Sequence, residues 1–124
     1  MKVSESYFDE IIDFRGQWDM PSKCGIKRIS KENKHVVLVT ELYQDNPGTS
    51  ITSVAASLAN QICEKYSINN QDLVYIECNP NMNSKLGFYD EEFYLVSFQL
   101  QDNKFLNPSW KLLTKQEAEQ YLSK

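Results

Sequence analysis

What this chain lacks narrows its chemistry before anything it contains is considered. There is a single histidine, His35, at a turn-to-strand boundary, and no Gly-x-Ser-x-Gly elbow anywhere. Nucleophilic catalysis would then fall to Cys24 or Cys78 beside His35, and periodicity places Cys63 and Cys78 among core residues instead. No lysine follows Gly48 as a P-loop requires, and the loop around it has one glycine where a dinucleotide fingerprint needs three. The three cysteines are an odd number with no Cys-x-x-Cys pair, which fits reduced thiols in a cytoplasmic protein. No apolar run approaches the ~20 residues needed to cross a bilayer. The opening MKVSESYFDEIIDF is acidic and broken by charge, unlike a secretory signal.

Positive charge is also sparse and scattered. With 13 Lys and Arg against 17 Asp and Glu, the formal net charge is −4. The densest basic group, Lys23, Lys27, Arg28, Lys31 and Lys34, is interrupted by Glu32. That argues against nucleic acid as a partner, and the acidity is too slight for a nucleic-acid mimic. Nothing in the pattern asks for a cofactor or metal, and nothing suggests a membrane partner.

What is present is a core. The 124 residues amount to one domain, 1–124, and 41% of them are hydrophobic, enough to bury an interior without disulfides. Residues 1–23 read as an irregular or short-helical segment, with Phe8, Ile11 and Ile12 at helical spacing over Tyr7 to Phe14. Ile26 to Ile29 reads as a short strand, and β-branched His35 to Tyr43 as a strong one, the two forming a hairpin. From Ile51 to Tyr66 the apolar positions Val54, Ala55, Leu58, Ala59, Ile62 and Cys63 make one helical stripe. Asp72 to Pro80 is a second strong strand, stopped by the proline, and Glu92 to Gln101 a third, with a short return through Phe105 and Leu106. Thr114 followed by Glu117 predicts a capping box for a last helix. The fold expected is α+β: a four- to five-stranded mixed or antiparallel sheet with one long helix on one face and a C-terminal helix. If the strands flanking the long helix share a sheet, the crossover makes them parallel.

Strand parity divides each strand into two faces. Leu38, Thr40, Leu42, Val74, Ile76, Cys78, Tyr94, Val96, Phe98 and Leu100 form the more uniformly apolar set, expected to face the long helix. The opposite set would then leave Val37, Val39, Leu73, Tyr75, Phe93 and Leu95 needing a cover, from the Phe8 to Trp18 segment or from the partner in a two-fold dimer.

Two features carry what functional signal there is. Asn46 to Thr52 runs into the long helix with Gly48, Thr49 and Ser50, the character of an anion site, although a turn capped by Thr49 or Ser50 explains the same residues. Glu41 and Glu77 lie near the ends of two strong strands on one inferred face, and adjacent strands would let them act as an acid–base or metal pair. The ordinary reading of such carboxylates is a solvated sheet edge; Asp90, Glu91 and Glu92 could add ligands to a metal site, but read first as a solvated acidic loop. Trp18 and Trp110, each near a proline, are candidate binding-surface aromatics, although such residues more often pin irregular segments onto the core.

Asn46-Pro47-Gly48-Thr49-Ser50-Ile51-Thr52, Val74-Tyr75-Ile76-Glu77, Leu95-Val96-Ser97-Phe98 and Asn107-Pro108-Ser109-Trp110 together resemble a group of small uncharacterised bacterial proteins. In that group a His-Tyr-Pro commonly follows the Ile-Glu; here Cys78-Asn79-Pro80 stands in its place, so no histidine chemistry carries over. The resemblance implies no activity and adds weight to Glu77 and the Asn46–Thr52 loop. The function expected is a non-catalytic protein-interaction module whose partner is itself or another protein. The other reading is a small-molecule or anion-binding protein, or a small enzyme, centred on Glu41, Gly48, Thr49, Ser50 and Glu77.

Overall fold

A computed structural model describes residues 8–15, 21–41, 51–81 and 90–123. Six strands form one mixed sheet in sequence order: β1 Glu10–Arg15, β2 Pro21–Lys31, β3 Lys34–Glu41, β4 Leu73–Asn81, β5 Asp90–Gln101 and β6 Lys104–Leu112. Helix α1, Ala55–Tyr66, follows a 3₁₀ turn at Ile51–Val54, and α2, Lys115–Leu122, ends the chain's regular structure. Every neighbouring pair is antiparallel except β3 and β4, which the α1 crossover makes parallel, with Val37 opposite Tyr75 and Val39 opposite Glu77. The architecture is therefore α+β as expected, with six strands where four or five were predicted. No helix among the described residues is long and apolar enough to cross a membrane.

The additional strand is β1. Phe8, Ile11 and Ile12 suit a helix by spacing, but two adjacent β-branched residues and an open edge on β2 favour extended pairing. β2 likewise starts at Pro21 and not at Ile26, because β1 gives its first half a partner. β4 continues through Pro80, which lies opposite Glu91, to Asn81. The return after Gln101 is a nine-residue strand, β6, joined to β5 by Asp102 and Asn103 at φ 52° and 63°. Two successive left-handed residues are what a two-residue hairpin needs to match strand twist.

The sheet curls around α1, and both of its edges are fastened to that helix. On the β1 side, Glu10 accepts hydrogen bonds from Lys65 and Tyr66. On the β6 side, the Asn60 amide both accepts from the Phe105 N–H at 2.9 Å and donates to the Phe105 carbonyl at 3.4 Å. A side-chain amide thus satisfies one residue of an edge strand that would otherwise be open to pairing.

The two faces are the reverse of the expectation in β3 and β4. Val37, Val39 and Tyr75 pack beneath α1 with Leu58, Ala59 and Ile62, joined by Cys24, Ile26 and Phe14 from β2 and β1 and by Val96 and Phe105. Val36, Leu38, Ile76 and Cys78 lie on the other face beneath α2, against Leu113, Ala118, Tyr121 and Leu122, with Phe93 and Leu95 beside them. Apolar uniformity could not choose between the faces, since strands in a parallel pair covered by helices on both sides are buried on both. The six residues expected as one uncovered patch are consequently split between two cores, and Tyr75 is buried under α1. That removes the physical argument for a dimer on that face. α2 supplies most of the second cover, and Phe8 adds to it by lying over Gly25, where a Cβ would come within 2.5 Å of its ring.

The helix ends follow ordinary capping chemistry. In α2, Thr114 Oγ1 accepts from the Glu117 N–H at 3.1 Å and Glu117 Oε1 accepts from the Thr114 N–H at 3.0 Å, the predicted capping box. Lys31 donates to the Gln120 and Ser123 carbonyls, placing a cation at the negative end of the helix. α1 stops at Ser67, left-handed at φ 55°.

Two measurements check this arrangement. Leu58 is fully buried in the α1 stripe, so Leu58→Ala is expected to cost about 2–5 kcal/mol in urea unfolding. The second concerns alkaline pH. Burial first, and then its hydrogen bond to Glu10, push the Tyr66 phenol up to about 12. Burial likewise raises Tyr75 well above its ordinary value. A phenol whose folded pKa exceeds its unfolded one contributes stability that is complete below pH ~10 and lost as pH rises through the folded value. Unfolding free energy should therefore fall steeply between pH ~10 and 12, and Tyr66→Phe should make that fall shallower.

Candidate functional site

β3 and β4 run parallel, and the chain leaves the carboxyl end of β3 to enter α1. In α/β architecture that end is where a crossover places loops and helix starts together. Glu77 sits there, one of two buried polar residues among the described residues and completely shielded from solvent. Its carboxylate accepts from Thr52 Oγ1 at 2.7 Å on Oε2 and from Trp110 Nε1 at 3.3 Å on Oε1. Three separate pieces of chain therefore meet at one side chain: the 3₁₀ turn before α1, the middle of the sheet and the edge strand β6.

The local sequence explains the meeting. Thr52 lies in the turn that precedes α1, whose N-terminal residue Val54 makes no side-chain cap. The Thr52 hydroxyl donates instead across to Glu77 on β4. Trp110 is opposite Val96 on β5, and Tyr94 is opposite Glu77, so Glu77 and Trp110 occupy neighbouring positions on the α1 face. Reaching that position requires β6 to shift register, which it does between Ser97 and Gln99, with Asn107 left-handed at φ 51° and donating to Gln99 Oε1. The irregularity re-aims the last third of the strand.

Around Glu77 the same face is aromatic and acidic. The Tyr94 hydroxyl donates to Glu92 Oε2 at 3.3 Å. Burial, then the nearby Glu92 charge, raise its pKa. Trp110 is 37% exposed and Leu112, opposite Tyr94, is 55% exposed. The buried Tyr75 hydroxyl on this face, and that of Thr40 on the other, have no hydrogen-bond partner among the described residues.

Of the residues expected at a site, Glu77 is central, but as a buried anchor and not as part of a solvated edge. Glu41 ends β3 two residues beyond Val39, the neighbour of Glu77; only its backbone is described. Gly48, Thr49 and Ser50 lie outside the described residues, and with them the question of an anion cradle or a capped turn. Thr52, the last residue of that loop, is the one the structure joins to Glu77. Trp18 lies outside the described residues as well, whereas Trp110 is in the site. His35 is exposed at the opposite end of β3, and the three cysteines are buried. No group of three metal-ligating side chains occurs among the described residues.

Sequence reasoning did not include Tyr94 and Leu112 in the site, and weighed Glu92 only as a further carboxylate for a metal site. The signal available was the alternation of Glu92 and Tyr94 with Phe93 and Leu95, which separates a polar-aromatic face from an apolar one. In comparisons of sequence and of fold, no family model, no curated protein and no solved structure matches this chain.

The anchoring role gives a stability prediction. Thr52→Val and Trp110→Phe each take a donor from a buried carboxylate, and each is expected to cost about 1–3 kcal/mol. Because both act on the same group, the double variant should not be additive. Urea unfolding of the four proteins in the cycle checks this; additive effects below half a kcal/mol each would remove Glu77 as the junction.

Proposed function

We propose that this chain is a non-catalytic protein-interaction module whose contact surface is the Tyr94, Trp110 and Leu112 strip on the α1 face. The observation that carries the reading is the exposure of Trp110 and Leu112 at the end of an edge strand, with the Trp110 indole held by a buried carboxylate. Exposed side chains of this kind on a rigid strand suit recognition, since aromatic anchors that are ordered before binding lose little entropy on contact. The partner is another protein or a second copy of the chain. Three buried cysteines with no Cys-x-x-Cys pair agree with a reducing, cytoplasmic setting.

A ligand-binding reading centred on Glu41, Glu77 and the Asn46–Thr52 loop is favoured by one observation, the convergence of Thr52 and Glu77 at the carboxyl end of a parallel pair. Against it, the Glu77 side chain is completely shielded from solvent and already accepts a hydrogen bond on each oxygen. A photo-crosslinking amino acid at Leu112 separates the two readings. The interaction module should yield one protein adduct of defined mass in cells, abolished by Trp110→Ala. Absence of any protein adduct, with the variant folded, would overturn the interaction reading.

A further inference from the structure

The surface described above has a definite electrostatic character. On the α1 face of β4 and β5 the described charges at this end are Glu77 and Glu92, and β5 opens with Asp90-Glu91-Glu92 in sequence. The only described cation on this stretch of β6, Lys111, is opposite Leu95 on the other face and paired with Glu117 at 3.8 Å. The described cations of the α1 side lie at the far end of the helix, where Arg28 stacks 3.9 Å over Tyr66 and Lys65 pairs with Glu10. Among the described residues the face is therefore polarised, carboxylates with the exposed Trp110 and half-buried Tyr94 at one end and engaged cations at the other.

The two aromatics share a second property. Trp110 donates its N–H to Glu77 and Tyr94 donates its O–H to Glu92, so each ring has its polar edge directed at a carboxylate. Such donation orients the ring and enriches its π electrons, which favours a cation over the face. A neutral or acidic partner gains nothing from this arrangement, and a second copy brings a net −4 protein with its own carboxylates to the same surface.

Resting on the interaction reading above, we propose that the Tyr94–Trp110–Leu112 strip docks a basic protein segment, taking Lys or Arg side chains between the aromatic faces and Glu92 and an apolar neighbour against Leu112. Complementary charge sets both the choice of partner and the encounter rate.

The test is a nitrogen-15 NMR titration that follows the Trp110 indole signal with three peptides of one length, each alternating Leu with Lys, Glu or Gln. The Lys peptide should shift the indole and the Leu112 amide, with an affinity that falls as salt is raised. Glu92→Lys should weaken it by about tenfold or more, as expected for a charge reversed at the contact. Glu64→Lys, the same charge change on the exposed side of α1, should leave it within about twofold, because the added charge is remote and screened. Equal or tighter binding of the Glu or Gln peptide at the same signals would overturn the basic-partner inference while retaining an interaction surface. Shifts that grow with protein concentration alone would assign the strip to a second copy and overturn it too. No response of the indole to any peptide would also refute it, and the Leu112 cross-link judges the interaction reading independently.

Discussion

The parallel pairing of β3 with β4 is the constraint on which the rest of the structure depends. A parallel connection cannot be made by a turn, so the chain must leave the sheet, form α1 over one face and return. That places α1 over Val37, Val39 and Tyr75 and leaves Val36, Leu38, Ile76 and Cys78 with a second apolar face to bury. α2 answers that need, and its capping box and the Lys31 contacts at its far end hold it in register. Without the parallel pair the sheet could have kept one solvated face, and a C-terminal helix would have had nothing to cover.

The same crossover creates the junction at Glu77. A buried carboxylate is costly unless donors surround it, and here the donors come from elements far apart in the chain, Thr52 and Trp110. Its effect is specificity of arrangement: β6 is drawn to one register, the turn before α1 to one position, and the Trp110 ring to one orientation. The surface that carries the functional reading is thus set from beneath, by a group solvent never reaches.

Edge protection follows the same economy of parts. Asn60 satisfies Phe105, Pro108 offers no N–H, and the bulge near Ser97 and Gln99 twists the middle of β6 away from ideal pairing. What stays open on that strand is its last stretch, where Trp110 and Leu112 are exposed. The proposed contact surface is thus the part of the edge that offers side chains, and not only a backbone ladder.

Local sequence alone determined the elements with strong periodic or capping signals. The α1 stripe, the strands around Val36–Thr40 and Val74–Cys78, and the Thr114–Glu117 box are legible because each depends on neighbours within a few residues. It also supplied Glu77 and Trp110 as residues of interest, though not their contact. Tertiary structure decided what depends on distant partners. β1 is a strand because β2 offers an edge, and β2 is long because β1 is there. Which face of β3 and β4 meets α1 could not be read, since both faces are apolar and only the crossover and α2 together fill them. The site itself arose from a register shift in β6 that carries Trp110 to Glu77, across 33 residues of chain, a distance over which no periodicity in the sequence can speak.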